Sequence, residues 1–249
     1  VLNGSYTGVA LEGNQLTVDS SVTTGTTITI KVTAEETGNY NKEEQTFTVK
    51  VADKNTATVT ITGLPDTVTY GQEFILAASQ TGDTGTSGKW SWDCNQEYFK
   101  LVESNANTKT ITLQAIKAGT PSKGITATYE SGTYKGSATV NAVVEKKEVT
   151  VSGITAANKK YDGGTSATVN ASGAIITGIV SGDSLTITAT GTFADADVGN
   201  GKAVNLTLGA LSGASAGNYK LAASGNQTTA TANITVRDLT VKPNSGQSK

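Results

Sequence analysis

Few residues in this chain are equipped for chemistry. Histidine is absent, and Cys94 is the one cysteine among 249 residues. A serine or cysteine nucleophile needs a neighbouring base to take its proton, and histidine is the usual one. Zinc sites built from histidine and cysteine are excluded on the same ground. No serine–lysine pair sits in a context that would activate it. No catalytic residue is therefore expected, and the chain reads as a non-enzyme.

Four other groupings could bind or bond something. Asp195, Asp197 and Asn200 fall in one glycine-bounded turn, and oxygen ligands at alternating positions can hold calcium. The turn lacks a third acidic position and a distal bidentate glutamate, so a solvated turn with local side-chain-to-amide bonds is the preferred reading. Calcium is the one cofactor left open. Trp90 and Trp92 lie two apart in a strand-like run and so face the same side. On a solvent face they form a platform for stacking sugars; on a core face they fill it. The polar Ser91 and Asp93 between and beyond them favour the core. Tyr161-Asp162-Gly163-Gly164 is the sharpest motif. Its glycines permit positive φ, with Tyr161 expected under the turn and Asp162 capping amides. Lys159, Lys160 and Asn233 are the positions to inspect for a lysine–asparagine isopeptide bond. Cys94 reads as a small buried residue or as a thiol that links two chains.

The elements that must position these groups are strands. Hydrophobic residues make up 36% of the chain, with 28 Gly, 3 Pro and a visible excess of Thr. Thr and Val suit a pleated, half-buried surface, and Gly suits the turns between strands. Ile28, Ile30 and Val32 alternate cleanly, as one buried face requires. The net charge of −2, with Arg237 as the only arginine, argues against nucleic acid or an anionic membrane as partner. No stretch approaches the ~18 consecutive apolar residues of a membrane span.

One pattern recurs: a final strand, a short charged turn, and a new strand. It appears around Val49–Gly63, Val144–Gly153 and Ile234–Gly246, at a spacing of roughly 90 residues that suits an immunoglobulin-like sandwich. The expected fold is all-β, a tandem of immunoglobulin-like β-sandwich domains in an extended, semi-rigid array. Residues 1–53 hold four strand-like runs and read as the C-terminal part of a sandwich. Residues 54–147 hold about seven runs and read as a full domain. Residues 148–238 form a third, and residues 239–249 start a further repeat or a tail. The opening at Val1, without methionine or signal peptide, reads as an internal piece of a longer protein.

The third domain closely resembles the YDG repeat of bacterial surface proteins. The resemblance rests on Lys160-Tyr161-Asp162-Gly163-Gly164, the Phe193–Gly201 turn and Gly217-Asn218-Tyr219. The first two regions resemble bacterial immunoglobulin-like (Big-type) repeats, through Thr69-Tyr70-Gly71-Gln72 and the Gly38-Asn39-Tyr40 turn. These resemblances imply an extracellular setting on a bacterial cell surface or wall, and a structural or adhesion stalk. They name a setting and no ligand; the expected partner is an unidentified host or cell-surface protein or a glycan, and the chain is expected to be monomeric. A carbohydrate-binding module built on Trp90 and Trp92, or a protein-binding array using sheet edges, is the alternative.

Overall fold

The computed structural model describes residues 1–85, 88–103, 108–242 and 246. Within the expected 239–249 repeat or tail, residues 243–245 and 247–249 lie outside the described residues. By contact the chain divides into two compact units. One is Val1–Thr58 with Gln80–Lys89 and Tyr129–Gly136; the other is Val59–Ser79 with Trp90–Thr128 and Ser137–Lys249. Among the described residues the only helical piece is a single 3-10 turn, Ala216–Asn218. The fold is all-β, as the Thr, Val and Gly usage requires.

In the first unit, β1 (Val9–Glu12) and β2 (Gln15–Val18) form a hairpin, as do β3 (Thr27–Ala34) and β4 (Glu43–Lys50). Glu12 pairs with Gln15, so the loop is Gly13-Asn14 alone. Gly13 takes φ +60°, the left-handed conformation that a two-residue hairpin turn demands. Ile28 is fully buried and Ile30 half-buried, but Val32 on the same face is 51% exposed, so the buried face expected of this run does not reach its end. Short β5 (Asn55–Thr56) runs parallel to Tyr134–Lys135. Lys54 ties this end down, donating to Glu130 Oε1 at 2.6 Å and to the Ser131 carbonyl at 2.7 Å.

Residues 55–145 also supply β6 (Thr58–Thr62), β7 (Val68–Thr69), β8 (Glu73–Thr81), β9 (Lys89–Asp93) and β10 (Phe99–Glu103). They continue as β11 (Thr110–Ala115), β12 (Ile125–Glu130), β13 (Tyr134–Val140) and β14 (Val144–Glu145). One sheet has the order β10-β11-β8-β6 and the other β5-β13-β12-β9. Lettered along the chain from β6, these are the A-B-E-D and C-F-G sheets of a constant-type immunoglobulin sandwich. Alternation fills the space between them: Phe74, Leu76, Ile111 and Leu113 from one sheet, and Ile125, Ala127 and Trp90 from the other, are buried. Phe74 and Phe99 meet edge to face at 6.0 Å.

The third set begins with β15 (Lys147–Ser152), followed by β16 (Thr155–Ala156), β17 (Lys159–Lys160), β18 (Ser166–Ala167), β19 (Val169–Asn170) and β20 (Ile175–Thr177). Then come β21 (Thr186–Phe193), β22 (Gly199–Ser212), β23 (Tyr219–Leu221) and β24 (Thr229–Thr235). A five-stranded sheet β17-β24-β22-β21-β18 stands against the smaller sheet β20-β15-β23. Val151 of β15, Ile154 and Ile187 of β21 form one cluster; Phe193, Val204, Ala232 and Ile234 form another. Phe193 is thus a core residue closing β21, where the sequence suggested the first residue of an exposed turn.

One expectation is corrected. The charged turn near Lys147 suggests separate cores on its two sides. Instead Val68, Tyr70 and Val144 share one buried cluster with Val149, Leu185 and Tyr219. The turn is too short to hold the flanking strands apart, and the apolar residues beside it close over one another.

Candidate functional site

The polar centre of that shared cluster is Asp183. It lies in the tight turn before β21, where its amide donates to the Val180 carbonyl at 3.0 Å. Three hydroxyls converge on its carboxylate. Tyr70 donates to Oδ2 at 2.9 Å, Tyr219 to the same oxygen at 2.5 Å, and Ser215 to Oδ1 at 2.7 Å. The Tyr219 hydroxyl also accepts the Val180 amide at 2.9 Å. The two tyrosine rings are buried and cross edge to face at 5.3 Å between centroids.

Local sequence explains each placement. Tyr70 follows β7, which runs parallel to β14, and its amide donates to the Glu145 carbonyl at 2.9 Å. Gly71 turns the chain with φ +82° and lies so close to Val180 that a Cβ would meet Cγ2 at 2.4 Å. Only glycine serves there. Tyr219 begins β23, which pairs in parallel with β15 through Lys147↔Tyr219. Asn218, just before it, accepts the Ala118 amide on Oδ1 at 2.9 Å.

Burial alone would raise the Asp183 pKa, but the hydroxyls of Tyr219, Ser215 and Tyr70 outweigh it and hold the carboxyl below its usual range. Burial first, then the neighbouring carboxylate, pushes both tyrosines upward. The node is an ionised acceptor ringed by neutral donors. Its hydrogens are committed to holding chain segments together, with no titratable pair poised near neutrality to move a proton.

The residues singled out from sequence fare differently. Trp90 is 5% exposed and lies in the sandwich core, so the paired Trp90/Trp92 sugar platform is corrected: the two rings do not share a solvent face. Trp92 is half-buried and donates its indole N–H to the Thr108 carbonyl at 3.2 Å. It lines a cavity of about 300 Å³ together with Cys94, Phe99, Leu101, Ile111 and Leu113. Cys94 is half-buried there, and its thiol pKa is raised, chiefly by burial.

Asp195 accepts the Asp197 amide at 2.9 Å, and the Lys202 ammonium lies on its carboxylate. Asn200 sits at the start of β22 and the Gly201 amide is taken by Asn233 Oδ1 at 2.7 Å. Asp195, Asp197 and Asn200 thus lie in the amide-capped turn that the sequence favours, closed in addition by the Lys202 ammonium. Among the described residues no group of three or more acidic or Cys side chains converges as a metal site.

In the Tyr161-Asp162-Gly163-Gly164 motif, Asp162 caps the Gly164 amide at 2.9 Å, as the sequence suggests. Gly163 takes φ +78°, whereas Gly164 does not adopt positive φ. Tyr161 is 43% exposed and lies outside the turn. The residue beneath the turn is Lys159. Its ammonium donates to Asp162 Oδ1 at 2.8 Å and to the carbonyls of Gly164 and Ser166 at 2.6 and 3.1 Å, and it lies over the Phe193 ring. Those bonds occupy the Lys159 ammonium, while the Asn233 side chain accepts the Gly201 amide on Oδ1 and its backbone amide donates to Asn158 Oδ1. The motif is held by an ion pair.

Residues 145–231 match the family model of the YDG domain. No curated protein matches the chain. Among solved structures, the N-terminal eight immunoglobulin domains of Down syndrome cell adhesion molecule superpose with TM-score 0.38 and 11% identity, over 94% of this chain and 31% of that one. An endo-fucoidan hydrolase of glycoside hydrolase family 107 gives TM-score 0.28 and 13% identity, over 96% of this chain and 39% of that one. The chain thus spans about a third of the length of the structures it matches.

Proposed function

We propose that this chain is a non-enzymatic structural and adhesive segment of a bacterial cell-surface protein, acting outside the cell. The observation that carries the reading is the Asp183 node. Its donors are spent on tying Tyr70 to a turn 113 residues away, an investment in fixed geometry between consecutive modules. The YDG-domain match over residues 145–231 supports a repeat-built protein. The lack of histidine leaves no ordinary proton carrier near neutral pH. The slight negative charge disfavours nucleic acid; a cell-surface protein or a glycan is the partner that this setting would offer. Antibody against this segment should label intact cells of the source organism. Labelling that appears only after lysis overturns the reading.

A further inference from the structure

The Tyr70 joint has a second, uncovered counterpart. β17 runs parallel to β24 through Lys159↔Ile234 and Lys160↔Thr235, and the Tyr161 amide donates to the Thr235 carbonyl at 2.8 Å. This repeats β7 beside β14, with Tyr70 donating to Glu145. Val144 and Ile234, both buried, are each flanked on the other side by an antiparallel glycine, Gly119 and Gly199. At the same distance past each, the chain reads Lys147-Glu-Val-Thr-Val151 and Arg237-Asp-Leu-Thr-Val241.

The environments of the two sites differ. At the first, Tyr70 is covered by Asp183 and Tyr219, and Val149 and Val151 enter the core as the opening strand of the next module. At the second, Tyr161 is 43% exposed, and Leu239 and Val241 are 89% and 80% exposed. Val198, which precedes Gly199 as Ala118 precedes Gly119, is exposed beside them. The position after Tyr161 is Asp162 where the first site has Gly71, but Lys159 already pairs with its charge.

We propose that the face around Tyr161 and Val198 is a docking surface for a further β-sandwich module of the same kind as residues 147–235. That module is entered through residues 239–241, and its Gly-Asn-Tyr turn covers Tyr161 as Tyr219 covers Tyr70. The internal repeat fixes the occupant: one chain shows the site both filled and open. The inference rests on this repeat and stands apart from the cell-surface reading.

A chain of residues 1–236 followed by a second copy of 147–242 tests it, with tetranitromethane as the probe and peptide masses as the readout. In the native chain Tyr161, 43% exposed, should nitrate readily and buried Tyr70 should not. In the extended chain Tyr161 nitration is expected to fall at least about tenfold, as closure of an exposed site by folded contacts implies. It should recover when the added copy carries Asp183→Ala. Unchanged nitration of Tyr161 beside a folded added copy overturns the proposal. So does an added copy whose core amides stay unprotected from exchange, because the surface then fails to seat it.

Discussion

Tyr70 and Tyr219 cross edge to face at 5.3 Å and place both hydroxyls on the same oxygen of Asp183. Two residues far apart in sequence thus share one acceptor, which makes their contributions interdependent. Tyr70→Phe should cost about 1.5–3 kcal/mol, the worth of a hydrogen bond to a charged group. Tyr219→Phe should cost more, because its oxygen also accepts the Val180 amide. The double variant should exceed the sum, because either hydroxyl alone still satisfies the shared oxygen and only the double loss leaves it without a tyrosine donor. Urea denaturation of the four chains checks this.

Acid acts on the same node. The Asp183 pKa is depressed in the folded chain, so its contribution is fully present above the unfolded value near 3.8 and is lost as pH falls through the folded value. Asp162 and Asp195 are also depressed, first by their lysine partners, and add to the same acid limb. The readout is therefore a difference. The melting temperature of Asp183→Asn should lie below wild type at pH 7 and converge on it towards pH 2, both values chosen to bracket ordinary carboxylate titration.

Two glycines separate backbone cost from crowding. Gly163 has φ +78° with open space around its Cβ position, so Gly163→Ala should cost about 1 kcal/mol, from backbone strain alone. Gly71 has similar φ, but its Cβ would strike Val180, so Gly71→Ala should cost about 1–3 kcal/mol more. Thermal melts of the pair rank them.

Trp90 and Trp92 part company under substitution. Trp90→Ala empties the sandwich core and should destabilise by about 3–5 kcal/mol. Trp92→Ala should cost less, since that ring is half-buried beside a cavity. Neither should change binding on a glycan array at a temperature where the variants remain folded. Loss of a specific glycan signal in folded Trp92→Ala would restore the carbohydrate reading.

Strand identity was legible wherever one face is buried. Ile28 and Ile30, and the run through Trp90, announce their faces by alternation, although Val32 on the first of these faces stays exposed, and Gly13-Asn14 announces its turn. The short strands β16 to β19 carry two residues each, too few for any period to register. Asp183 was not legible. It follows Ser181-Gly182 in an ordinary turn, and its partners lie 113, 36 and 32 residues away. Both of its tyrosines did stand out, in Thr69-Tyr-Gly-Gln72 and Gly217-Asn-Tyr219, but as separate turn markers. Nothing in a single sequence tells that two such turns meet. Tyr161 misled for a related reason. Its counterpart Tyr70 is buried by the following module, and the motif alone does not show whether a cover is present. Lys159 stood out only as an isopeptide position, and nothing in the sequence places its ammonium under the turn on Asp162.

Residues on both sides of Lys147 share one core locked by Asp183. Native-state hydrogen exchange in Asp183→Ala tests it most directly, read at Leu113 on one side and at Val149 and Val151 on the other. Shared cooperativity predicts that amides at all three lose protection together, by a common factor. Loss at Val149 and Val151 with Leu113 unchanged would contradict it.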